Sequence, residues 1–137
     1  MPPNAMSLST LGTTPKARHG FGAYFHPGPP LWDDPLLVRN DGAARGVAET
    51  LGDARAVVMR GNGVVTAGAD IEQAVVFAWY LEDAARTEWQ VLNAYAAIAA
   101  GEAQEKLFSA DESETRADGS GRIYERMWDY LTHGDPE

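Results

Sequence analysis

One stretch of the chain, residues 54–92, constrains the fold most, because it places two short strands and a long helix in succession. Ala56–Met59 (AVVM) is an apolar run typical of a buried strand. Residues 64–66 (VVT) are β-branched, which predicts a second strand that pairs with the first. The sequence Gly-Asn-Gly at 61–63 predicts a tight hairpin turn, since Asn and Gly both accept a positive φ. Asp70 can then cap the first turn of the helix.

This helix is expected to run from Asp70 to Ala100, a length of about 45 Å, and to be apolar on more than one side. Such a helix is buried either in a large core or against another chain, so its length predicts a subunit contact. The expected apolar stripe is Ile71, Ala74, Val75, Ala78, Ala85, Trp89, Leu92 and Ala96, with a second group of Val76, Phe77, Tyr80 and Leu81.

The other predicted elements are short, and one is ambiguous. Residues 4–11 form either a strand or the end of a helix, because periodicity cannot decide over so few residues. A helix is expected over 42–51, with Asp41 as its N-cap and Gly52 as its C-cap. The remaining expectations are a loop over 12–22, short strands over 23–25 and 36–38, an irregular proline-rich loop over 26–35, a polar turn of helix and loop over 102–121, and a docked helix over 122–131.

Composition excludes several classes of function. The chain of 137 residues is expected to be a single domain, and its net charge of −9 argues against nucleic-acid and anionic-membrane partners. The absence of cysteine excludes disulfides, thiolate metal sites and a cysteine nucleophile. No apolar run is long enough for a transmembrane helix, and the first residues lack the pattern of a signal peptide. A cytoplasmic location is therefore expected.

The predicted strands are too few and too short to form a sheet that covers the apolar surface of the long helix. A helix with extensive apolar surface needs a broad sheet face or other helices to bury it. The sequence thus predicts an incomplete layer, and with it either a homo-oligomer or a partner that completes the core.

Four segments carry a family resemblance. Residues 51–86 (LGDARAVVMRGNGVVTAGADIEQAVVFAWYLEDAAR) resemble the C-terminal half of the class II aldolase/adducin family, where a strand, an Arg-Gly-His-Gly turn, a strand and a long helix follow one another. Residues 2–12 resemble the segment after the family's His-x-His motif, and residues 29–52 resemble its middle loop and helix. The end, residues 122–131 (RIYERMWDYL), resembles the branch of pyridine-dicarboxylate decarboxylases and related aromatic-acid enzymes.

The resemblance implies a fold and a chemistry. The fold would be a three-layer α/β/α sandwich around a mostly antiparallel sheet, here an incomplete domain over 1–137 that lacks its N-terminal side. The family is usually tetrameric, with active sites between subunits, and cleaves carbon–carbon bonds in small carboxylate-bearing or related substrates. A divalent ion held by three histidines polarises a carbonyl or enolate oxygen.

The sequence departs from that pattern at the metal site. The His-x-His pair would fall at and just before Met1, and Asn62 stands where the third histidine is expected. An amide oxygen is a weaker ligand than imidazole for a transition-metal ion. No metal ligand is therefore assigned in this chain, and zinc or manganese is expected only if a companion N-terminal polypeptide supplies the missing pair.

Six residues are the candidate site residues, each with a structural alternative. His19 can transfer a proton near its ordinary pKa of about 6.5, and Asn62 can donate to a developing oxyanion. The alternatives are a packed loop histidine and a turn residue retained for its backbone. The candidate catalytic residues are His19 and Asn62, and the candidate substrate-binding residues are Lys16, Arg18, His26 and Trp32.

The function expected from these features is that of a carbon–carbon lyase, of decarboxylase or aldolase type, acting on a small carboxylate-bearing substrate. The resemblance of the C-terminal residues to aromatic-acid enzymes extends this expectation to aromatic substrates. It would act with a companion polypeptide or by a metal-independent route. Two alternatives stay open: a non-catalytic scaffold or regulatory subunit of the family, and a small-molecule binding module.

Overall fold

The computed structural model describes residues 1–134, apart from the side chain of Ala96. Its sheet has three strands, β1 (Leu31–Trp32), β2 (Ala56–Met59) and β3 (Gly63–Thr66), in that spatial order. β1 pairs parallel with β2, and β2 pairs antiparallel with β3. Within the described residues, the helices are α1 (Pro3–Thr10), α2 (Asp41–Leu51), α3 (Ile71–Asn93), α4 (Tyr95–Ala99), α5 (Ala110–Arg116) and α6 (Ile123–Thr132).

The predicted hairpin is confirmed, but its geometry rests on the glycines and not on the asparagine. The positive φ angles fall on Gly61 (+70°) and Gly63 (+147°), not on Asn62. The turn is closed by a hydrogen bond from the Asn62 N–H to the Met59 carbonyl, at 3.0 Å. The turn therefore does not need an asparagine at position 62 for its backbone conformation. The role of the Asn62 side chain needs another explanation.

The segment at 4–11 is helical, and its first turn is capped from a distant helix. The backbone N–H groups of Asn4 and Ala5 both donate to the carboxylate of Glu82 on α3, at 2.9 and 3.0 Å. A free helix N-terminus favours a negative charge, so Glu82 both satisfies these donors and fixes α1 against α3.

The long helix begins as predicted and ends earlier. The Asp70 side chain accepts a hydrogen bond from the Gln73 N–H at 2.7 Å and caps α3. The helix ends at Asn93 and not at Ala100, because the helical conformation is interrupted at Ala94, the C-cap of α3, before α4 begins. Its length is about 35 Å.

The predicted apolar stripe of α3 was largely wrong. The buried side chains are those of the second apolar group together with Ala84, Ala85 and Glu88. Ile71, Val75 and Trp89 of the predicted stripe are instead exposed, its Ala85 is buried, and Ala96 lies outside the described side chains. Two apolar faces compete on this helix, and which one meets the sheet depends on tertiary packing that periodicity does not encode. The core against β2 consists of Tyr24, Phe25, Ala56, Val58, Val76, Phe77, Tyr80 and Leu81.

Other local predictions need correction. Residues 23–25 belong to a 3₁₀ turn (Gly22–Phe25), and no strand forms over 36–38, where all three side chains are exposed. The proline-rich loop instead contains β1, which forms at a sheet edge, where prolines are tolerated. Asn40, not Asp41, is the N-cap of α2. The segment 102–121 includes α5, which starts with a capping box of Ser109 and Glu112.

The predicted docking of the last helix is confirmed, because α6 packs against α3. None of the described helices is long and apolar enough to cross a membrane.

Candidate functional site

Parallel pairing brings the ends of β1 and β2 to one edge of the sheet, and polar residues follow both strands there. Arg60 follows β2 and forms an ion pair with Asp33, which follows β1. The Gly61 N–H donates to the Ser9 hydroxyl of α1 at 2.9 Å, and Ser9 is fully buried. We call Ser9, Asp33, Arg60 and Asn62, with the loop at 35–36, the turn site.

The side chain of Asn62 is held in one orientation at the turn site. Its Nδ2 donates to the carbonyls of Pro35 and Leu36, at 3.0 and 3.4 Å. Both partners are acceptors, so the amide nitrogen and not the oxygen must face this loop. Oδ1 makes no hydrogen bond within the described residues and is the atom left to accept from a ligand.

The two predicted carboxylate-binding cations are instead held by glutamates of the chain. Arg18 donates from Nε and Nη2 to the two oxygens of Glu88, at 2.5 and 2.9 Å, and from Nη2 to Glu105 at 2.6 Å. The hydrogen bond to Glu88 is the largest influence that raises the pKa of Arg18. Lys16 lies 3.4 Å from Glu105, whose pKa is lowered mainly by its hydrogen bond from Arg18. A substrate carboxylate would have to displace Glu105.

His19 is a half-buried imidazole facing an acid. Its Nδ1 accepts a hydrogen bond from the Phe21 N–H at 3.3 Å, so in the neutral ring the proton is assigned to Nε2. Nε2 lies 3.6 Å from Asp83 of α3 and has no hydrogen-bond partner among the described residues. Desolvation lowers the pKa of His19, and the charge of Asp83 opposes that shift.

The last two predicted substrate-binding residues lie near opposite ends of β2. The exposed residue His26 lies before Pro27 and lines a cavity near the start of β2. Trp32 belongs to β1, its carbonyl accepts from the Arg60 N–H at 3.0 Å, and its ring packs against Gly46 of α2. Its buried Nε1 has no partner in the described part of the chain.

The structure therefore separates the predicted residues into three places. Asn62 and Trp32 belong to the end of the sheet at the turn site. Lys16, Arg18 and His19 lie beside α3, and each faces an acidic side chain: Glu88 and Asp83 of α3 for Arg18 and His19, and Glu105 for Lys16. His26 lies near the other end of β2.

Comparison with known proteins identifies the family. The sequence profile described as "Class II Aldolase and Adducin N-terminal domain" matches residues 1–89, which is more than half of the chain and includes the turn site. The chain belongs to the class II aldolase and adducin family. No curated protein is a significant match in sequence.

Solved structures agree on a class II aldolase-like α/β fold. An L-fuculose 1-phosphate aldolase from Glaciozyma antarctica PI12 matches with 17% identity over 94% of this chain and a TM-score of 0.61. An aldolase II superfamily protein from Pseudomonas syringae matches with 22% identity over 93% of this chain and a TM-score of 0.64. This chain covers 49% and 50% of those two chains, so it spans about half the length of the structures that it matches.

The residues described do not by themselves form the divalent-metal site of class II aldolases. No group of three or more His, Cys, Asp or Glu side chains within 1–134 is arranged to hold a metal ion. At the turn site, Asn62 offers one neutral oxygen, and the nearby Asp33 carboxylate is paired with Arg60. A bound zinc or manganese ion would need ligands from outside the described residues.

Three residues that shape these places were missed by sequence reasoning. Glu88 and Asp83 are the acidic partners of Arg18 and His19. Glu88 lies in the same stripe as Leu81, Ala84 and Ala85, so choosing that stripe as the buried face would have revealed a buried acid. Ser9 gave no usable signal, since its contact to the turn depends on how α1 packs.

Proposed function

We propose that this chain contributes the turn site of a carbon–carbon lyase, of decarboxylase or aldolase type, that acts on a small carboxylate-bearing substrate. The observation that carries the proposal is the Asn62 side chain, which is fixed through Nδ2 with Oδ1 left open at the family's turn. An aromatic acid, as in the decarboxylase branch that the C-terminal sequence resembles, is the substrate class that we favour.

The proposed chemistry breaks a bond to a carbon next to a carbonyl group. The electron pair of that bond moves onto the carbonyl oxygen, which needs a positive charge or a hydrogen-bond donor as it becomes an enolate. As positioned, Asn62 accepts a hydrogen bond from a substrate hydroxyl through Oδ1. Donation from Nδ2 to the oxyanion requires release of the loop at 35–36.

Arg60 is the cation of the turn site and is a second carboxylate-binding candidate. Its partner Asp33 has a side chain that is 73% exposed, and exposed ion pairs contribute only about 0–1 kcal/mol. A substrate carboxylate can therefore replace Asp33 at small cost. Arg18 and Lys16 remain candidates only through displacement of Glu105, and His19 remains a proposed proton-transfer group that works beside Asp83.

The remaining groups of the site would come from a second copy of the chain or from a companion polypeptide equivalent to the family's N-terminal half. Two features support assembly. The outer edge of β3 has no strand partner among the described residues, and α3 exposes Ile71, Val75 and Trp79. A zinc or manganese ion is proposed only for an assembly that supplies histidine ligands.

We propose that the protein acts in the cytoplasm.

The experiment combines assembly state with turnover. The protein is purified in its native assembly, its mass is measured by light scattering, and bond cleavage is followed by NMR with hydroxy acids, aromatic carboxylates and sugar phosphates, with and without zinc or manganese. Cleavage of a carboxylate-bearing compound supports the proposal. No cleavage or solvent-deuterium exchange with any of these compounds contradicts it.

A non-catalytic subunit is the second candidate, and one observation favours it. Arg18 and Lys16, two predicted substrate-binding cations, are engaged by Glu88 and Glu105 within the chain. In a non-catalytic scaffold, these ion pairs would stabilise the fold, and the two cations would not need to be free to bind a ligand. A well-folded assembly that binds a carboxylate without converting it would instead identify the third candidate, a small-molecule binding module.

A further inference from the structure

A cavity of about 530 Å³ lies near the start of β2, away from the turn site. The strand has four residues and spans roughly 13 Å, which separates the cavity from the turn at its other end. The volume falls within the range of about 300–1,000 Å³ that is usual for small-molecule sites. The wall is built from the segment 23–29, the segment 53–56 and one side of α5.

One polar side chain in the cavity wall has no partner. Ser113 of α5 is only 2% exposed, and its hydroxyl makes no hydrogen bond within the described residues. Buried hydroxyl groups are normally hydrogen-bonded, because leaving one without a partner costs about 1–3 kcal/mol. The Ser113 oxygen itself has almost no accessible surface, so a ligand in the cavity satisfies this hydroxyl when the side chain rotates towards it.

A positioned guanidinium lies in the same wall. Arg55 donates to the Tyr24 carbonyl at 3.0 Å and stacks 5.5 Å from the centres of the Tyr24 and Phe77 rings. These contacts hold the group without neutralising it, and Arg55 takes part in no ion pair among the described residues.

Two carboxylates complete the charge pattern. Asp53 and Glu114 both line the cavity, from the segment before β2 and from α5. A simple anion would pair with Arg55 but be repelled by these acids, whereas a simple cation would meet the reverse problem. A molecule that carries both charges matches all three groups.

We propose that this cavity binds a small zwitterion of amino-acid size. The ligand's carboxylate pairs with Arg55, its ammonium group faces Asp53 and Glu114, and the Ser113 hydroxyl hydrogen-bonds to one of the two. Besides the imidazole of His26, the remaining wall is largely apolar or small, with Pro27, Pro29 and several alanines, so it accommodates an uncharged side chain. This site is separate from the turn site and does not depend on the lyase proposal.

Calorimetric titration of the whole chain tests the proposal. The probes are L-alanine and L-phenylalanine, with propionate and ethylamine as matched compounds that carry only one of the two charges. We expect saturable binding of at least one amino acid and at least about tenfold weaker binding of both single-charge compounds, since each loses one charged contact. No saturation by either amino acid at millimolar concentration overturns the proposal, as does equal binding of propionate or ethylamine.

Two hydroxyl deletions on α5 locate the binding site. Ser113→Ala should weaken binding about fivefold, the equivalent of one hydrogen bond of about 1 kcal/mol. Thr115→Ala removes a hydroxyl from the same helix outside the cavity wall, so it should leave the affinity unchanged. Equal affinities for the Ser113→Ala variant and the unmodified chain would overturn the assignment of the site.

Discussion

Arg18 and Glu88 form a buried bidentate ion pair. The two hydrogen bonds measure 2.5 and 2.9 Å, and the side chains are only 7% and 2% exposed. The pair joins the loop before the 3₁₀ turn to the C-terminal half of α3. It also explains why a charged residue interrupts the buried face of that helix.

Glu88→Gln should destabilise the fold by about 3 kcal/mol, because it leaves the buried Arg18 charge without its main partner. Urea unfolding followed by circular dichroism measures the change. Glu105→Gln is the matched control, and it should cost about 1 kcal/mol or less because that carboxylate is partly exposed. Equal losses in the two variants would show that the Glu88 pair does not stabilise the structure.

The pKa of His19 predicts a pH dependence of stability. Desolvation, reinforced by the charges of Arg86 and Arg116, lowers this pKa below its ordinary 6.5, while Asp83 opposes the shift. In the window just below pH 6.5, the unfolded chain then binds more protons than the folded one. The contribution of His19 is therefore complete above the unfolded-state pKa and declines as the pH falls through that window.

Urea unfolding between pH 5 and 7.5 should show a smaller loss of stability for His19→Gln than for the unmodified chain. NMR titration of the ring gives the folded-state pKa directly. A folded-state value at or above that of the unfolded chain would contradict this account of the site.

Trp32 fills the space beside the glycine at position 46 of α2. A Cβ at this position would lie 2.4 Å from the Trp32 ring, at Cη2. Gly46→Ala should therefore destabilise the protein by about 1–3 kcal/mol, although alanine is the better helix former. Combining it with Trp32→Leu should relieve the clash, so the double variant should be more stable than the two single losses predict when added. Simple additivity would argue against this contact.

Burial also changes the ionisation of Tyr24. Desolvation raises its pKa to about 12, and its hydroxyl donates to the Asp118 carbonyl at 3.1 Å. Because the folded state holds this proton longer than the unfolded state, stability should fall as the pH rises from about 10 to 12. Tyr24→Phe should flatten that loss in chemical unfolding. An unchanged slope in the variant would show that Tyr24 is not its source.

Local signals predicted the parts of the fold that depend on neighbouring residues. The hairpin around 61–63 and the Asp70 cap of α3 both follow from residues adjacent in sequence. The parallel pairing of β1 with β2 joins Leu31 to Val58 and has no such local signal. The same limit applies to α3, where two apolar faces compete and packing selects the one that contains Glu88.

The sequence predicted one residue of the candidate site, Asn62, but not the side chains and loops that contact the candidate residues. Asn62 is singled out by its place in the turn, and the structure adds that its amide nitrogen is used by the loop at 35–36. The carboxylates facing Arg18 and His19 come from α3, about seventy residues away in sequence for the first pair. Such contacts arise from tertiary packing, so the sequence pattern alone did not pair them.

Turnover of a cleavable carboxylate by Asn62 variants in the native assembly tests the central claim most directly. Asn62→Ala should lower kcat/KM by about a hundredfold or more, the usual loss when one polar group of a catalytic site is removed. Lys106→Gln, at an exposed position, is the control and should retain full activity. Circular dichroism should show that both variants stay folded. Equal turnover by Asn62→Ala and the unmodified protein would contradict a catalytic role for the turn site.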